Sequence, residues 1–140
     1  NLEFDYGMFG ENLTIQEMQE DQMHLGDVYQ IGTAKVEVTQ PREPCFKLGA
    51  RFNTQKVLKQ FINSPYPGAY LKVIEEGEVN IGDKMQLVSK GFEGSTLKDV
   101  YTLMYHSTNS DHQTITEILE IDDNPPGLIE ALQKRLKLTQ

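Results

Sequence analysis

The hydrophobic period of this 140-residue chain shifts from mainly strand-like to helical at Ser89. Before it, "AKVEVTQ" (residues 34–40), "AYLKVIEEG" (69–77) and "KMQLVS" (84–89) alternate apolar and polar residues, the period of a half-buried strand. After it, apolar residues recur every three or four positions. "STLKDVYTLMYH" sets Leu97, Val100, Tyr101 and Met104 on one helical face, with Thr96 and Asp99 spaced as a capping box. "TITEILEI" offers Ile115, Ile118 and Leu119. "NPPGLIEALQKRLKL" opens on a cap-plus-proline signal and carries Leu128, Ile129, Leu132 and Leu136. Residues 1–90 therefore read as β structure, residues 95–140 as three short helices, and "KGFEG" (90–94) as the link between them.

One helix interrupts the β part. "NTQKVLKQFIN" places Val57, Leu58, Phe61 and Ile62 at helical spacing, with Asn53 or Thr54 as its cap and "SPYPG" as its stop. "HLGDVYQIG" and "VNIGDKMQLV" both set Gly-Asp ahead of a strand-like run. Repeated corners of this kind suit a closed or strongly curved sheet.

Charge removes several function classes. Thirteen Lys and Arg face 21 Asp and Glu, a net charge of −8. Nucleic acid and anionic membrane surfaces are not expected partners. The helical tail is not basic enough for a DNA-reading helix-turn-helix. No apolar run is long enough to span a bilayer. The opening "NLEFDYGMFGEN" has neither a cationic start nor an apolar stretch, and a single cysteine suits a reducing compartment, so a cytoplasmic location is expected. With no initiating Met, the chain reads as the retained part of something longer.

Against that acidic background, residues 35–59 hold six cations (Lys35, Arg42, Lys47, Arg51, Lys56, Lys59) and two anions (Glu37, Glu43). A run of solvated side chains and a local anion site both fit this charge pattern. The only thiol, Cys45, lies within it, in "TQPREPCFKLGARF" (39–52), where Pro41 and Pro44 predict a stiff loop. Arg42, Lys47 and Arg51 would favour a thiolate if they converge on it, and a thiolate can attack an electrophile or bind a soft metal. A cysteine–histidine hydrolase would need His24, His106 or His112, none at a diagnostic spacing. Zinc would need about four ligands, which are not visible. No Gly-rich phosphate loop precedes a helix. Glu11 and Asn12, in the Gly-rich "GMFGENLTI", read locally as turn residues.

Taken in order, "FGENL" (9–13), "GD" (26–27), "VTQPREPCFKL" (38–48) and "GAYLKVIEEGEVNIGD" (68–83) resemble the MOSC family, a β-barrel domain related to the C-terminal part of molybdenum cofactor sulfurase. The nearest resemblance is to the YiiM-like branch, which carries a C-terminal three-helix appendage. The fold implied is mainly β: a MOSC-type barrel over residues 1–90 with a three-helix domain over 95–140. Members of that branch usually carry further strands and a His-Gly-Gly segment before the "FGEN" turn, so a barrel lacking them would be incomplete on its N-terminal side.

The resemblance also implies a molybdenum cofactor (molybdopterin). Cys45 matches the cysteine that ligates molybdenum in the related amidoxime-reducing proteins. Arg42 is then the anchor for the pterin phosphate, Lys47 and Arg51 are weaker candidates, and Glu11 and Asn12 border the pocket. The implied reaction is reduction of N-hydroxylated compounds such as base analogues, by oxygen-atom transfer. Its electrons would come from an external donor protein, since no flavin, haem or iron–sulfur motif is present. Homodimerisation is left open. The alternative is a sulfur or cofactor carrier working through a persulfide on Cys45. No lysine context argues for pyridoxal phosphate.

Overall fold

The structure is a computed structural model and describes residues 5–139. The strands are β1 (Val28–Ile31), β2 (Ala34–Pro41), β3 (Ala69–Glu75) and β4 (Met85–Ser89). The helices are α1 (Phe46–Arg51), α2 (Lys56–Asn63), α3 (Leu97–His106), α4 (His112–Leu119) and α5 (Pro126–Leu138), with a 3-10 turn at Asn109–Asp111. All pairings run antiparallel, in the order β3-β2-β1-β4. The alternating segments 34–40, 69–77 and 84–89 are strands as expected, and the three tail helices are present.

Two expectations are corrected. The sheet is open among the described residues: β3 and β4 are its edges, and no closure into a barrel is found. Val73, Ile74, Leu87 and Val88 on those edge strands stay exposed. Nor are the described residues mainly β, since five helices accompany four strands among them. Part of the difference is α1, which begins directly after the cysteine where a stiff loop was expected. Pro44 lies ahead of its first turn and cannot break it. "FKLGARF" can then bury Leu48 against Val57 and Phe61 of α2.

The join between α1 and α2 explains a smaller miss. Asn53 does not cap α2 but takes a left-handed backbone (φ 49°), a conformation asparagine tolerates, and so reverses the chain. Thr54 Oγ1 accepts the Lys56 N–H at 3.3 Å, just ahead of the N-cap residue Gln55.

The Gly-Asp echo is real in geometry. In one copy Asp27 Oδ2 accepts the His24 N–H at 2.9 Å; in the other Asp83 Oδ2 accepts the Asn80 N–H at 2.7 Å. Gly26 (φ 80°) and Gly82 (φ 92°) each supply the left-handed residue. The two turns lead into β1 and β4, which pair.

One hydrophobic cluster joins Tyr29, Ile31, Val36 and Val38 of the sheet to Leu97, Val100, Met104, Ile115, Ile118, Leu128 and Leu132 of the tail helices. A second unites Leu48, Val57, Phe61 and Tyr101, flanked by Phe9 and Phe52. It fastens the α1–α2 pair to α3, where the Tyr101 hydroxyl donates to Phe61 O at 2.9 Å. No helix of the described residues is long and apolar enough to cross a membrane.

The capping box at α3 forms as read: Thr96 Oγ1 accepts the Asp99 N–H at 3.2 Å, and Asp99 Oδ2 accepts the Thr96 N–H at 2.9 Å. Thr96→Ala is expected to cost about 1 kcal/mol in urea unfolding. An unchanged midpoint would show that the box contributes nothing in this context.

Candidate functional site

Arg42 follows the last residue of β2 and sits where two cavities meet. Its backbone N–H donates to Gly68 O at 2.9 Å. Its guanidinium NH2 donates to Phe9 O, and its Cζ lies 5.9 Å from the centre of the Phe61 ring. The side chain is half-buried, and among the described residues no carboxylate stands within ion-pair distance of it. A partly desolvated cation that no carboxylate touches keeps much of its positive potential for an anion.

The turn that meets Arg42 is built by a carboxylate. Glu11 accepts the Gly7 N–H at 2.5 Å on one oxygen and the Phe9 N–H at 3.1 Å on the other. Gly7 and Gly10 lie in the left-handed region (φ 77° and 74°), which lets the chain fold back on this carboxylate. The Glu11 carboxyl is held below the ordinary carboxylate range, first by its own backbone N–H. Partial burial pulls the other way, and the Gly7 and Phe9 N–H groups and the Arg42 charge add to the lowering.

Beside this turn lies a cavity of about 790 Å³ with Phe9, Val57, Phe61, Tyr66 and Pro67 in its wall. On the other side a wider cavity of about 1020 Å³ runs along the sheet past Val36, Leu71, Val73 and Met85. Glu11, Arg42 and Gly68 belong to both linings. The two cavities thus meet around a cation, between largely apolar walls.

The expected site residues divide. Arg42 and Glu11 come together at this junction, and Asn12 is exposed in the lining of the wider cavity. Cys45 is the exposed N-cap residue of α1, makes no capping hydrogen bond, and lies outside both linings. Lys47 and Arg51 are exposed on α1 and also lie outside them. Chain length alone keeps the Arg42 and Cys45 Cα atoms within about 11 Å. The histidines are engaged elsewhere: His24 Nδ1 is 3.6 Å from Asp27, His106 bonds Ile62 O and His112 bonds Thr139. Among the described residues no group of three or more His, Cys, Asp or Glu could hold a metal ion.

Two contributors were not read from the sequence. Glu20 is buried, lies in the wider cavity's lining and accepts the Gly68 N–H. Its setting "QEMQEDQ" looks like any solvated acidic run. Gly68 was visible as the end of a proline-rich break and the start of a strand segment, with no role at the site.

Glu43, between Arg42 and the thiol, turns away toward α5. Its carboxyl is pushed up by desolvation first and then by Glu130. An acid whose folded pKa is raised loses stability as pH climbs through that range. Glu43→Gln is therefore expected to raise the melting temperature at pH 7, with the gain shrinking as pH falls toward 4.5, the ordinary glutamate value. A gain that persists at acid pH would contradict this.

The comparisons point one way. The family model described as the MOSC domain matches residues 1–86. Protein YflK of Bacillus subtilis is 35% identical over 102 residues, covering 73% of this chain and 46% of the relative. A protein of Gibberella moniliformis named a reductase is 34% identical over 90 residues, covering 64% of this chain and 16% of its own length. The crystal structure of YiiM from Geobacillus stearothermophilus superposes with a TM-score of 0.87 at 32% identity, over 95% of this chain and 68% of that one. This chain therefore spans less than half the length of those curated relatives.

Proposed function

We propose that this chain, which belongs to the MOSC domain family, holds a molybdenum cofactor and takes part in reducing N-hydroxylated compounds. The observation that carries this reading is Arg42: a half-buried guanidinium with no carboxylate partner among the described residues, between apolar cavities, three residues before an exposed thiol. The reductase-named relative supports redox chemistry in the family.

The residues present suit the group. A guanidinium presents a planar fork to phosphate oxygens, and Arg42 spends one donor group on Phe9 O. A thiolate is a soft ligand, and Cys45 is accessible for that role once its proton leaves to solvent. Lys47 and Arg51, on the helix that Cys45 starts, add positive potential. Asn12 offers an amide within the wider cavity. When bound, the cofactor supplies oxygen-atom transfer from the N–O bond. The apolar walls exclude water and orient a small substrate. Electrons come from an external donor protein in the cytoplasm.

The exposure of Cys45 outside both linings favours a second reading, a carrier that holds sulfur as a persulfide. One assay separates the two. The whole protein, made in a host that synthesises the cofactor, is given N-hydroxylated base analogues and a chemically reduced viologen. Turnover in the wild type and none in Cys45→Ser supports the reductase. A loaded protein without turnover contradicts it, and persulfide mass on Cys45 would then favour the carrier.

A further inference from the structure

Glu11 borders the junction, yet a carboxylate repels an anionic ligand. Both of its oxygens are spent on backbone: one takes the Gly7 N–H, the other the Phe9 N–H. The turn they close presents Phe9 O to the Arg42 guanidinium. Gly10 supplies the left-handed backbone (φ 74°) that the turn needs beside Arg42, whose NH2 would lie 3.9 Å, an ordinary contact, from a Cβ built there. The Phe9 ring also packs on Phe52, centroids 5.3 Å apart. Phe52 is the C-cap of α1, and Cys45 is its N-cap. One residue of the turn therefore touches both the cation and the helix that starts at the thiol.

A second carboxylate acts in the same way on the backbone. Glu20 is 8% exposed, and its Oε1 accepts the Gly68 N–H. Gly68 O in turn accepts the Arg42 N–H. Arg42 is thus fastened at its backbone through Glu20 and Gly68, and at its guanidinium through Glu11 and Phe9. Neither carboxylate forms an ion pair with it, so the guanidinium is oriented without being neutralised by contact.

We infer that Glu11 and Glu20 are positioning residues, which aim the Arg42 guanidinium at an anionic ligand through the backbone of Phe9 and Gly68. This rests on the anion-anchor role of Arg42 proposed above. It moves Glu11 from ligand contact to support, and adds Glu20, which has no signal in the sequence.

The test is titration calorimetry of the whole protein with inorganic pyrophosphate, for wild type, Glu11→Ala, Glu20→Gln, Arg42→Ala and the double variant Glu11→Ala with Arg42→Ala. Each variant's fold is checked by its melting transition. Glu11→Ala is expected to weaken binding about tenfold, on the order of one charge-assisted hydrogen bond. The double variant should bind no worse than Arg42→Ala alone, because Glu11 acts through Arg42. Additive losses, or full affinity in a folded Glu11→Ala, overturn the inference while leaving the anchor standing. If the wild type binds no pyrophosphate, the anchor itself fails and the inference with it. Should Glu11→Ala not fold, Glu11→Gln, which keeps one acceptor oxygen, takes its place and should show a smaller loss that still vanishes in the Arg42→Ala background.

Discussion

Asp27→Ala is expected to remove about 4 kcal/mol from the stability of the fold. Asp27 is 2% exposed, and its carboxylate serves three donors: the His24 N–H at 2.9 Å, the Gly91 N–H at 2.9 Å and the Tyr29 hydroxyl at 3.3 Å. Each donor left unpaired in a buried site costs about 1–3 kcal/mol. The phenol stays a donor at all ordinary pH values. Its pKa is pushed up to about 12, by burial first and then by the Asp27 charge and its hydrogen bond. The loss would also be topological. Gly91 belongs to the segment between β4 and α3, and it passes so close to the Gly-Asp turn that a Cβ there would collide with the Leu25 carbonyl. Asp27 therefore pins the entry of β1 to the crossing into the tail helices. Asp27→Asn keeps one good acceptor and should cost roughly half as much. Urea unfolding of the three proteins checks this, and a loss below about 1 kcal/mol in Asp27→Ala would refute the role given to the carboxylate.

Arg42→Gln should separate function from stability. The substitution removes the charge-assisted bond to Phe9 O, but it also removes a half-buried cation that no carboxylate neutralises by contact among the described residues. These effects oppose, so the change in stability is expected to stay within about 1 kcal/mol. Ligand retention should not be spared. A bidentate contact to phosphate is worth about 1.5–3 kcal/mol, or roughly 10- to 150-fold in affinity. Gel-filtered Arg42→Gln should hold less than about a tenth of the wild-type molybdenum, and Arg42→Lys, which keeps the charge but not the fork, should fall between them. Wild-type retention in Arg42→Gln would end the anchor role.

The periodic part of this fold was readable, because burial on one face dictates apolar spacing directly. β2, β3, β4, α2 and the tail helices follow from that alone, and the α3 capping box from two residues. What was hidden depended on partners far away in sequence. α1 has only six residues, and its packing rests on Val57 and Phe61, which lie beyond the next turn. Alternation alone could not tell the open sheet of the described residues from a closed one, because it records which face a side chain takes and not whether the last strand finds the first; the expectation of a barrel incomplete on its N-terminal side came from the family resemblance. At the site, Arg42 was legible only as one of several cations near the one thiol of an acidic chain, and its proposed anchor role came from the family resemblance. The tasks of Glu11 and Glu20 were not legible, because backbone N–H groups leave no mark in a sequence.

The most direct test is the molybdenum content of the whole protein, measured by elemental mass spectrometry beside Cys45→Ser, with both made in a host proven to supply the cofactor. The account predicts near-stoichiometric metal in the wild type and almost none in the variant. Equal metal in both, or none in the wild type, would contradict it.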